Sequence, residues 1–396
     1  MNITINPRLL RGNVRAIGSK SFAHRQLILA AFADRPTQIR CPETNRDIEV
    51  TAACLRALGA TIQRAKSGYT VFPAQAIPEH AELPCGESGS TLRFILPVVG
   101  ALGVRGEFIT EGRLAKRPLS PLWEEMERMG CHLEWIGENR LLCQGKLKPG
   151  NYNIDGSVSS QFITGLLLGL SLLPQKSTLQ ITGQLQSKPY VDITKEVMGS
   201  FGADTEIPGG IVLHSPAHLE VEGDWSNAAF FLTAAALGSA VTVTGLNQSS
   251  VQGDRQILEC LKLLDYGAAR ISVADIPDLM PVLSIAAAAK HGAVFADIQR
   301  LRLKESDRVE SVCAMLTALG IRTEATESTL RILPDRFTGG TVDAANDHRI
   351  AMSAAIAATV ATGPVTIKGA ECVTKSYPDF WEDYRNLGGQ YEFDLR

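Results

Sequence analysis

Six segments of the chain share one design, and this repetition limits the folds that are open to it. Each segment begins with a small polar or charged cluster and continues directly into an apolar stretch rich in Ala and Leu. The segments are GSKSFAHRQLILAAFA from Gly18, GSTLRFILPVVGAL from Gly89, SSQFITGLLLGLSLL from Ser159, DWSNAAFFLTAAAL from Asp224, PDLMPVLSIAAAA from Pro277 and NDHRIAMSAAIAATVA from Asn346. Because a helix that is apolar on all sides must be buried on all sides, the sequence predicts six buried helices.

The spacing of the segments indicates large repeated units. With Ser21, Ser90, Ser160, Ser226, Asp278 and Asp347 as markers, the successive intervals are 69, 70, 66, 52 and 69 residues. A period near 70 is too long for a solenoid repeat and suggests six copies of a βαβ-type unit. Alternating segments such as residues 69–72, 241–244 and 365–367 predict strands between the helices. Six helices divided three and three predict an α/β protein of two domains, each with helices inside a wall of sheet.

The polar starts of these helices are candidate anion-binding groups. A helix N-terminus offers free N–H groups and the positive end of the helix dipole. Several starts also carry cations, namely Lys20, Arg25, Arg93, His348 and Arg349. The alternative is that the Ser and Asp residues only cap their helices, but caps do not require a Lys or Arg beside them. The pattern therefore predicts a site for a polyanion.

Two further motifs leave alternatives open. The segment RLRLKESDR, residues 300–308, is either a solvated helix face or a set of two anion clamps, Lys304 and Arg308, with Glu305 as a proton donor beside them. Asp278, a lone carboxylate before an apolar helix, is either a helix cap or a base.

Composition excludes several classes of protein. Lys and Arg total 39 against 42 Asp and Glu, a net charge of −3, which argues against a chain built to bind nucleic acid. The longest apolar run, residues 163–173, is too short to span a membrane, and the first residues do not form a signal peptide. The eight cysteines form no C-x-x-C pair, which is typical of reduced thiols rather than of zinc ligands. We therefore expect a soluble cytoplasmic protein without a metal site.

Ten motifs then identify a family. GSKSxxxR, SGSTLR, the RP at Arg117, SSQF, SKPYVDIT, EGDWS, IPD, KESDR, NDHR and TKSYPDF occur in this order along the chain. The chain thereby resembles the 5-enolpyruvylshikimate-3-phosphate synthases (3-phosphoshikimate 1-carboxyvinyltransferases) of the enolpyruvyl transferase family. The resemblance implies a two-domain inside-out α/β barrel of six βαβαββ-type repeats, three per domain. It implies a discontinuous domain of residues 1–16 and 225–396, an inserted domain of residues 17–224, and an active site in the cleft between them.

The resemblance also implies a reaction and its residues. The enolpyruvyl group of phosphoenolpyruvate would pass to the 5-hydroxyl of shikimate 3-phosphate, releasing phosphate, in a monomeric enzyme that needs no cofactor and is inhibited by glyphosate. Residues expected to bind shikimate 3-phosphate are Lys20, Ser21, Arg25, Ser159, Ser160, Gln161, Ser187, Tyr190, Asp278 and Lys304. Residues expected to bind phosphoenolpyruvate are Lys20, Gly89, Arg117, Gln161, Arg308, Arg349 and Lys375. Among them Asp278 is expected to act as base and Glu305 as acid, with Lys20 assisting proton transfer.

Three positions depart from the family pattern. Glu87 stands where Asn is frequent, and Arg300 stands where many members have an Asn that contacts the substrate. Between Ala268 and Ile276 the chain is a few tens of residues shorter than its relatives, which accounts for the 52-residue interval. We therefore expect one repeat to be shortened by a strand–turn segment.

Three alternatives are weighed against this function. The sister enzyme that acts on UDP-N-acetylglucosamine has a catalytic Cys five residues before its loop Arg, whereas Gly112 stands at that distance from Arg117. A non-catalytic phosphometabolite-binding protein would be expected to have lost Asp278, Glu305 or Lys20, and all three are present. An RNA-end-processing enzyme of related fold is disfavoured because the chain has no basic surplus.

Overall fold

The computed structural model describes residues 1–206 and 208–394, in which helices alternate with short strands. The helices are α1 (Lys20–Ala30), α2 (Arg46–Ala57), α3 (Gly89–Leu102), α4 (Leu122–Arg128), α5 (Ser160–Leu170), α6 (Lys188–Ser200), α7 (Trp225–Ala236), α8 (Ile257–Tyr266), α9 (Met280–Ala289), α10 (Arg308–Ala318), α11 (His348–Ala358) and α12 (Phe380–Asn386). In this part of the chain no helix combines the length and the apolar character that crossing a membrane requires.

The strands are mostly of four to six residues. They are β1 (Asn2–Asn6), β2 (Arg11–Arg15), β3 (Thr37–Arg40), β4 (Thr61–Ala65), β5 (Gly68–Phe72), β6 (His80–Gly86), β7 (Arg105–Thr110), β8 (Cys131–Gly137), β9 (Arg140–Gly145), β10 (Asn151–Asp155), β11 (Thr178–Thr182), β12 (His218–Glu220), β13 (Ala240–Thr244), β14 (Ala269–Ser272), β15 (Ala293–Ala296), β16 (Thr323–Ala325), β17 (Thr329–Ile332), β18 (Gly340–Asp343), β19 (Val365–Lys368) and β20 (Gln390–Asp394). The three strands named from the sequence are confirmed as β5, β13 and β19.

The chain divides into two compact units. The discontinuous unit consists of Met1–Ile17 and Gly223–Arg396, and the inserted unit is Gly18–Glu222. The crossings expected from the family resemblance lie at residues 16–17 and 224–225.

The inserted unit has three sheets around its apolar helices, as far as its described residues show. Their strand orders are β12-β3-β5-β4, β6-β7-β9-β8 and β10-β11. The helices α1, α3 and α5 are buried over nearly their whole length, as their continuous apolar sequences predict. The amphipathic helices α2, α4 and α6 bury one face only.

The discontinuous unit repeats this plan. In its described residues the sheets are ordered β18-β19-β1-β20, β14-β15-β17-β16 and β13-β2. The buried helices are α7, α9 and α11, and α11 is buried at every residue from His348 to Ala358. The six buried helices expected from the repeats are therefore confirmed, three in each unit.

The two crossings change which strands pair in the first repeat of each unit. In a regular repeat, such as β6-α3-β7, the strands before and after the buried helix pair in parallel. By sequence β2 precedes α1, yet it pairs with β13, which follows α7. Conversely, β12 precedes α7 but pairs with β3, which follows α1. In each unit the strand just before a crossing therefore pairs with a strand of its own unit and not with the strand after the next buried helix.

Two sheets lack the antiparallel hairpin that completes a four-stranded sheet. In the sheet β6-β7-β9-β8 the hairpin β8–β9 pairs antiparallel with β7. After α8 the chain enters β14 at Ala269, so the sheet β13-β2 has no such hairpin, and the shortened repeat is located here. The sheet β10-β11 is also two-stranded, because no described residue between 201 and 217 forms a strand. The 66-residue interval gave no sign of this second two-stranded sheet.

Two glycines allow α3 and α5 to cross at close range. A Cβ added at Gly169 would lie 2.7 Å from the backbone carbonyl carbon and oxygen of Pro97. A Cβ at Gly165 would meet the carbonyl oxygen of Arg93 and would lie 3.1 Å from Cγ of Pro97. The Gly165-x-x-x-Gly169 motif is therefore a helix-packing motif.

We predict that Gly169→Ala destabilises the protein by about 1–3 kcal/mol, because the added methyl group meets backbone atoms that cannot rotate away. Chemical denaturation of the purified variant measures this loss. The matched control is Gly199→Ala in α6, where an added Cβ has no neighbour within 4 Å among the described residues. Equal stability of Gly169→Ala and the wild type would contradict the packing role.

Candidate active site

Asp278 is held by three cations in the discontinuous unit. Its Oδ1 accepts a hydrogen bond from Nη1 of Arg308 at 2.7 Å, and its Oδ2 accepts from Nη2 of Arg349 at 2.9 Å. Nζ of Lys304 lies 3.9 Å from Oδ1. The N-cap position of α9 is Leu279, and no side chain caps this helix. Asp278 is therefore a clamped carboxylate and not a helix cap.

Arg308 is a buried cation surrounded by carboxylates. Its side chain is 1% exposed and begins α10. Besides Asp278 it donates from Nη2 to Glu305 at 2.6 Å and from Nε to Asp347 at 2.9 Å. Burial alone would lower the pKa of Arg308, but Asp347, Glu305 and Asp278 outweigh it and raise the pKa. This guanidinium is consequently a fixed positive charge, and a solvated helix face is the wrong interpretation for it.

Lys304 lies beside this cluster in a poorly solvated position. Burial lowers the pKa of Lys304 to about 8, while Asp278 acts in the opposite direction. Arg300 lies near enough to contribute to the lowering, so this departure from the family pattern adds positive charge close to Lys304. Lys304 can therefore change protonation state near neutral pH, unlike an exposed lysine.

The start of α11 brings a further carboxylate and two cations together. Oδ1 of the fully buried Asp347 accepts from the backbone N of Arg349 at 3.0 Å and so caps the helix. The preceding residues Ala345 and Asn346 have φ angles of 51° and 54°, which is an uncommon conformation for residues other than glycine. Nζ of Lys375 donates to the carbonyl oxygen of Asn346 at 2.9 Å. The chain thus turns sharply just before Asp347, whose carboxylate contacts Arg308.

In the inserted unit, α1 begins with an ion pair. Nζ of Lys20 lies 2.9 Å from Oδ2 of Asp47, and each side chain is 17% exposed. Asp47 belongs to α2, whose N-cap Asn45 accepts a hydrogen bond from the backbone N of Ile48. Asp47 was not predicted from the sequence, because a carboxylate in the first turn of an amphipathic helix is common and carries no signal by itself.

Arg25 is fixed by neutral acceptors of its own unit. Its side chain is almost fully buried and donates to the carbonyl oxygens of Ser21 and Tyr190 at 2.7 and 2.9 Å. It also donates to the hydroxyls of Thr194 and Thr164 at 2.8 and 3.1 Å. Burial lowers the pKa of Arg25 to about 9. Because none of these four acceptors is charged, the positive charge of Arg25 is not neutralised by them.

The starts of α3 and α5 are joined through Arg93. Its Nη1 donates to Oε1 of Gln161 at 2.9 Å, and its Nη2 donates to the carbonyl oxygen of Pro118 at 3.1 Å. Nε2 of Gln161 in turn donates to Oγ of Ser90 at 3.0 Å. A Cβ added at Gly89 would lie 2.6 Å from Nη1 of both Arg93 and Arg117. Gly89, Arg93, Arg117 and Gln161 therefore form one group, of which the site prediction omitted Arg93.

Three predicted serine ligands lie at helix starts. Ser159 is the N-cap of α5, and its Oγ accepts from the backbone N of Gln161 at 3.3 Å. Ser160 is the first residue of that helix and is buried. Ser187 precedes α6 with a φ of 55°, a conformation that costs energy outside glycine. The carbonyl oxygen of Tyr190, one turn later, accepts from Arg25.

Within each unit the structure therefore brings several of the predicted residues into contact. Around Asp278 it brings together Lys304, Glu305, Arg308 and Arg349. In the inserted unit, hydrogen bonds and close contacts link Ser21 with Arg25 and Tyr190, and link Gly89 with Arg117 and Gln161 through Arg93. Among the described residues no cluster of three or more His, Cys, Asp or Glu side chains has the arrangement of a metal site. The expectation of a reaction without a cofactor stays a prediction.

Both groups combine cations with polar helix starts, which is the chemistry of anion binding. Arginine can bind phosphate or carboxylate through two parallel hydrogen bonds, and lysine supplies a compact charge. The group around Asp278 adds two carboxylates to the cations, so it can also exchange protons with a bound anion.

Comparison with known proteins gives one consistent result. The chain matches the family model described as EPSP synthase (3-phosphoshikimate 1-carboxyvinyltransferase) over residues 5–271 and 265–384. It is 37% identical to a 3-phosphoshikimate 1-carboxyvinyltransferase of Clostridium kluyveri, with 98% of each chain covered. A protein of the same name from Clostridium perfringens is 36% identical, again with 98% of each chain covered.

Solved structures share the fold. An EPSP synthase from Acinetobacter baumannii superposes with a TM-score of 0.81 at 24% identity, covering 99% of this chain and 100% of that chain. The enolpyruvyl transferase NikO from Streptomyces tendae superposes with a TM-score of 0.76 at 20% identity, covering 99% and 98%. These similarities confirm the two-domain α/β architecture of enolpyruvyl transferase type.

We predict that Asp347→Asn lowers the free energy of unfolding by about 3–5 kcal/mol, because it removes a charge from the buried pair with Arg308. Urea denaturation followed by circular dichroism measures the loss. Glu324→Gln, which breaks an exposed pair with Arg331 in the same unit, serves as control and should cost at most about 1 kcal/mol. Losses of equal size in the two variants would contradict the role of Asp347.

Proposed function

The chain belongs to the EPSP synthase family, and we propose that it transfers the enolpyruvyl group of phosphoenolpyruvate to the 5-hydroxyl of shikimate 3-phosphate, releasing phosphate. One observation carries the proposal for the site. Asp278 is clamped by Arg308 and Arg349, while Glu305, the second carboxylate expected from the family, bonds to the same Arg308. The proposed proton acceptor and the proposed proton donor thus bond to the same guanidinium, which is itself one of the anion-binding groups.

Asp278 is the proposed base. The cations around it favour the carboxylate form, so it is ready to accept a proton. The same cations also oppose proton uptake by Asp278, because a protonated Asp278 would no longer attract them. An anionic substrate that binds Arg308 and Arg349 competes with Asp278 for them and thereby strengthens it as a base.

Glu305 is the proposed acid, and the same competition acts on it. In this structure Arg308 holds Glu305 at 2.6 Å, which favours its carboxylate form. A phosphate or carboxylate on Arg308 displaces this interaction and favours the protonated form that can donate. Lys20, the proposed assistant, is paired with Asp47, so its ammonium is oriented before a substrate binds.

The remaining roles follow the family motifs. We assign shikimate 3-phosphate to Lys20, Ser21, Arg25, Ser159, Ser160, Gln161, Ser187, Tyr190, Asp278 and Lys304. We assign phosphoenolpyruvate to Lys20, Gly89, Arg117, Gln161, Arg308, Arg349 and Lys375. The uncompensated charge of Arg25 and the pKa of Lys304 near 8 support the first set, since a bound phosphate would stabilise both cations.

The proposed reaction balances with these groups alone. The 5-hydroxyl oxygen bonds to C2 of phosphoenolpyruvate, its proton passes to Asp278, and Glu305 protonates the methylene carbon. The tetrahedral intermediate then loses phosphate, and a proton of the new methyl group returns to a carboxylate as the double bond forms again. Cations at the phosphate stabilise the leaving anion.

We further propose that the enzyme works as a monomer in the cytoplasm. The eight cysteines are free thiols, seven of them buried, which suits a reducing compartment.

We predict that Asp278→Ala lowers the release of phosphate from phosphoenolpyruvate at least about a hundredfold, because the variant lacks the base. The assay compares release with and without shikimate 3-phosphate. Asp335→Ala, which removes an exposed carboxylate of the same unit, should keep wild-type activity. Wild-type enzyme that releases no phosphate with shikimate 3-phosphate would favour a non-catalytic phosphometabolite-binding protein instead.

Gly89→Ala should weaken inhibition by glyphosate more than binding of phosphoenolpyruvate. The added methyl group forces the guanidinium groups of Arg93 and Arg117 to move. It thereby narrows the proposed phosphoenolpyruvate site beside these two side chains. Steady-state titration with glyphosate and phosphoenolpyruvate measures both effects. Gly137→Ala, whose Cβ would have no neighbour within 4 Å in the described residues, is the control. Equal losses for the two ligands would refute this steric argument.

A further inference from the structure

A chain of four buried polar side chains joins α1, α2 and α3 of the inserted unit. Nδ1 of His24 lies 2.7 Å from Oγ1 of Thr51, and this hydroxyl lies 2.7 Å from Oγ1 of Thr91. Thr91 in turn donates to Oγ of Ser88 at 2.8 Å. All four residues are at most 2% exposed, and none of them is assigned a role above. Apolar residues of similar size would fill this interior equally well, so the polar chain needs an explanation beyond packing.

The direction of each hydrogen bond in the chain is fixed, because a hydroxyl group has only one proton to donate. The proton of Thr91 points to Ser88, so Thr91 must accept from Thr51. Thr51 therefore has no proton left for His24, and Nδ1 of His24 must be the donor of their bond. The imidazole consequently carries its proton on Nδ1, while the buried Nε2 has no hydrogen-bond partner among the described residues.

His24 is also a neutral imidazole. Phe94 packs against the ring with an angle of 88° between the two ring planes. Burial, followed by the charges of Lys20 and Arg25, lowers the pKa of His24 well below its usual range. A second proton, on Nε2, would add a buried N–H that finds no acceptor in the described part of the chain. The Nδ1–H group is therefore a fixed donor near neutral pH.

On α1 and α2 the chain lies one helical turn after the ion pair of Lys20 and Asp47. His24 follows Lys20 by four residues on α1, and Thr51 follows Asp47 by four residues on α2. Residues four apart lie on the same face of a helix, so the hydrogen bond and the ion pair join the same two faces. Oγ1 of Thr91 also lies 3.4 Å from the carbonyl oxygen of Asp47. The chain thus fixes how α1 and α2 meet where Lys20 is held.

On α3 the chain ends at the residue that begins the helix. Ser88 is the N-cap of α3, and its Oγ accepts from the backbone N of Thr91 at 3.2 Å as well as from the Thr91 hydroxyl. Gly89 follows directly, and a Cβ added there would lie 2.6 Å from Nη1 of Arg117. The chain therefore also sets the position of Gly89 relative to α1 and α2.

We propose that His24 is a positioning residue for the binding of phosphoenolpyruvate: its Nδ1–H begins a chain of hydrogen bonds that fixes the starts of α1, α2 and α3, and with them Lys20 and Gly89. This role rests on the proposed function, in which both residues bind phosphoenolpyruvate. A displacement of about 1 Å between groups that act on one substrate is enough to weaken their action. Arg25, which is assigned to shikimate 3-phosphate, donates instead to groups of α1, α5 and α6 that lie outside the chain.

The first experiment measures steady-state phosphate release for wild type, His24→Leu and His24→Asn. Leucine fills the space but has no donor, so we expect KM for phosphoenolpyruvate to rise about tenfold and KM for shikimate 3-phosphate to change less than about threefold. The amide N–H of asparagine can replace Nδ1–H and should bring KM for phosphoenolpyruvate within about threefold of wild type. A folded His24→Leu with wild-type KM for phosphoenolpyruvate would overturn the proposal, as would a His24→Asn that is impaired as strongly as His24→Leu.

A double-mutant cycle tests whether His24 acts through the chain. Thr51→Val removes the next hydroxyl at nearly constant shape and should also raise KM for phosphoenolpyruvate. In the double variant, His24→Leu should add less than about twofold to the effect of Thr51→Val, because the chain is already broken. Increases that multiply as independent effects would refute the chain.

A matched variant in the neighbouring network separates positioning from general damage. Thr194 accepts from Nε of Arg25 at 2.8 Å in the same unit. Thr194→Val should therefore raise KM for shikimate 3-phosphate more than KM for phosphoenolpyruvate, the opposite of His24→Leu. If both variants raise both KM values by the same factor, His24 acts only through the stability of the unit, and the proposal fails.

A readout without turnover distinguishes failure of this role from failure of the proposed function. The ¹⁵N chemical shifts of an imidazole show which ring nitrogen carries the proton, and we expect Nδ1–H with an unprotonated Nε2 for His24 in the wild-type protein at neutral pH. The opposite tautomer would overturn the proposal whatever the activity. Wild-type protein that releases no phosphate in the presence of shikimate 3-phosphate would refute the function, and the tautomer would still test the chain.

Discussion

The ion cluster centred on Arg308 is the interaction on which the discontinuous unit depends. A guanidinium that is 1% exposed cannot be solvated, so the protein must supply its counter-charges. These come from three places in the chain: Asp278 before α9, Glu305 before α10 and Asp347 at the start of α11. Because one planar group bonds to all of them, the starts of the three elements are fixed relative to one another. The proposed base and acid are therefore positioned by the same contact that stabilises the fold.

The buried arginines of the two units have different kinds of hydrogen-bond partner. In the discontinuous unit carboxylates compensate Arg308 and Arg349. In the inserted unit Arg25 donates to two hydroxyls and two carbonyl oxygens, which orient the guanidinium without cancelling its charge. The inserted unit is thus suited to attract anions over a distance, while the discontinuous unit combines anion binding with proton exchange. This division agrees with the roles that the proposed mechanism needs.

Sequence reasoning recovered the architecture because the buried helices are apolar over whole turns, a pattern that is local and periodic. It could not decide whether Asp278 is a cap or a clamped base, since its partners Arg308 and Arg349 are 30 and 71 residues away in sequence. The second two-stranded sheet was missed because the length of a repeat does not show whether its last residues pair as a hairpin. What a sequence shows least well is therefore the long-range pairing of single polar residues.

The close crossing of α3 and α5 has a consequence for how this protein can change in evolution. At the crossing, Gly165 and Gly169 face the backbone of Arg93 and Pro97, and at the helix starts Arg93 bonds to Gln161. The two helices therefore match each other both in shape and in polar contacts. Recombination that exchanged one of them with a relative would bring together surfaces that had diverged separately. The segment from Gly89 to Leu170 is accordingly expected to be inherited as one block, with breakpoints tolerated outside it.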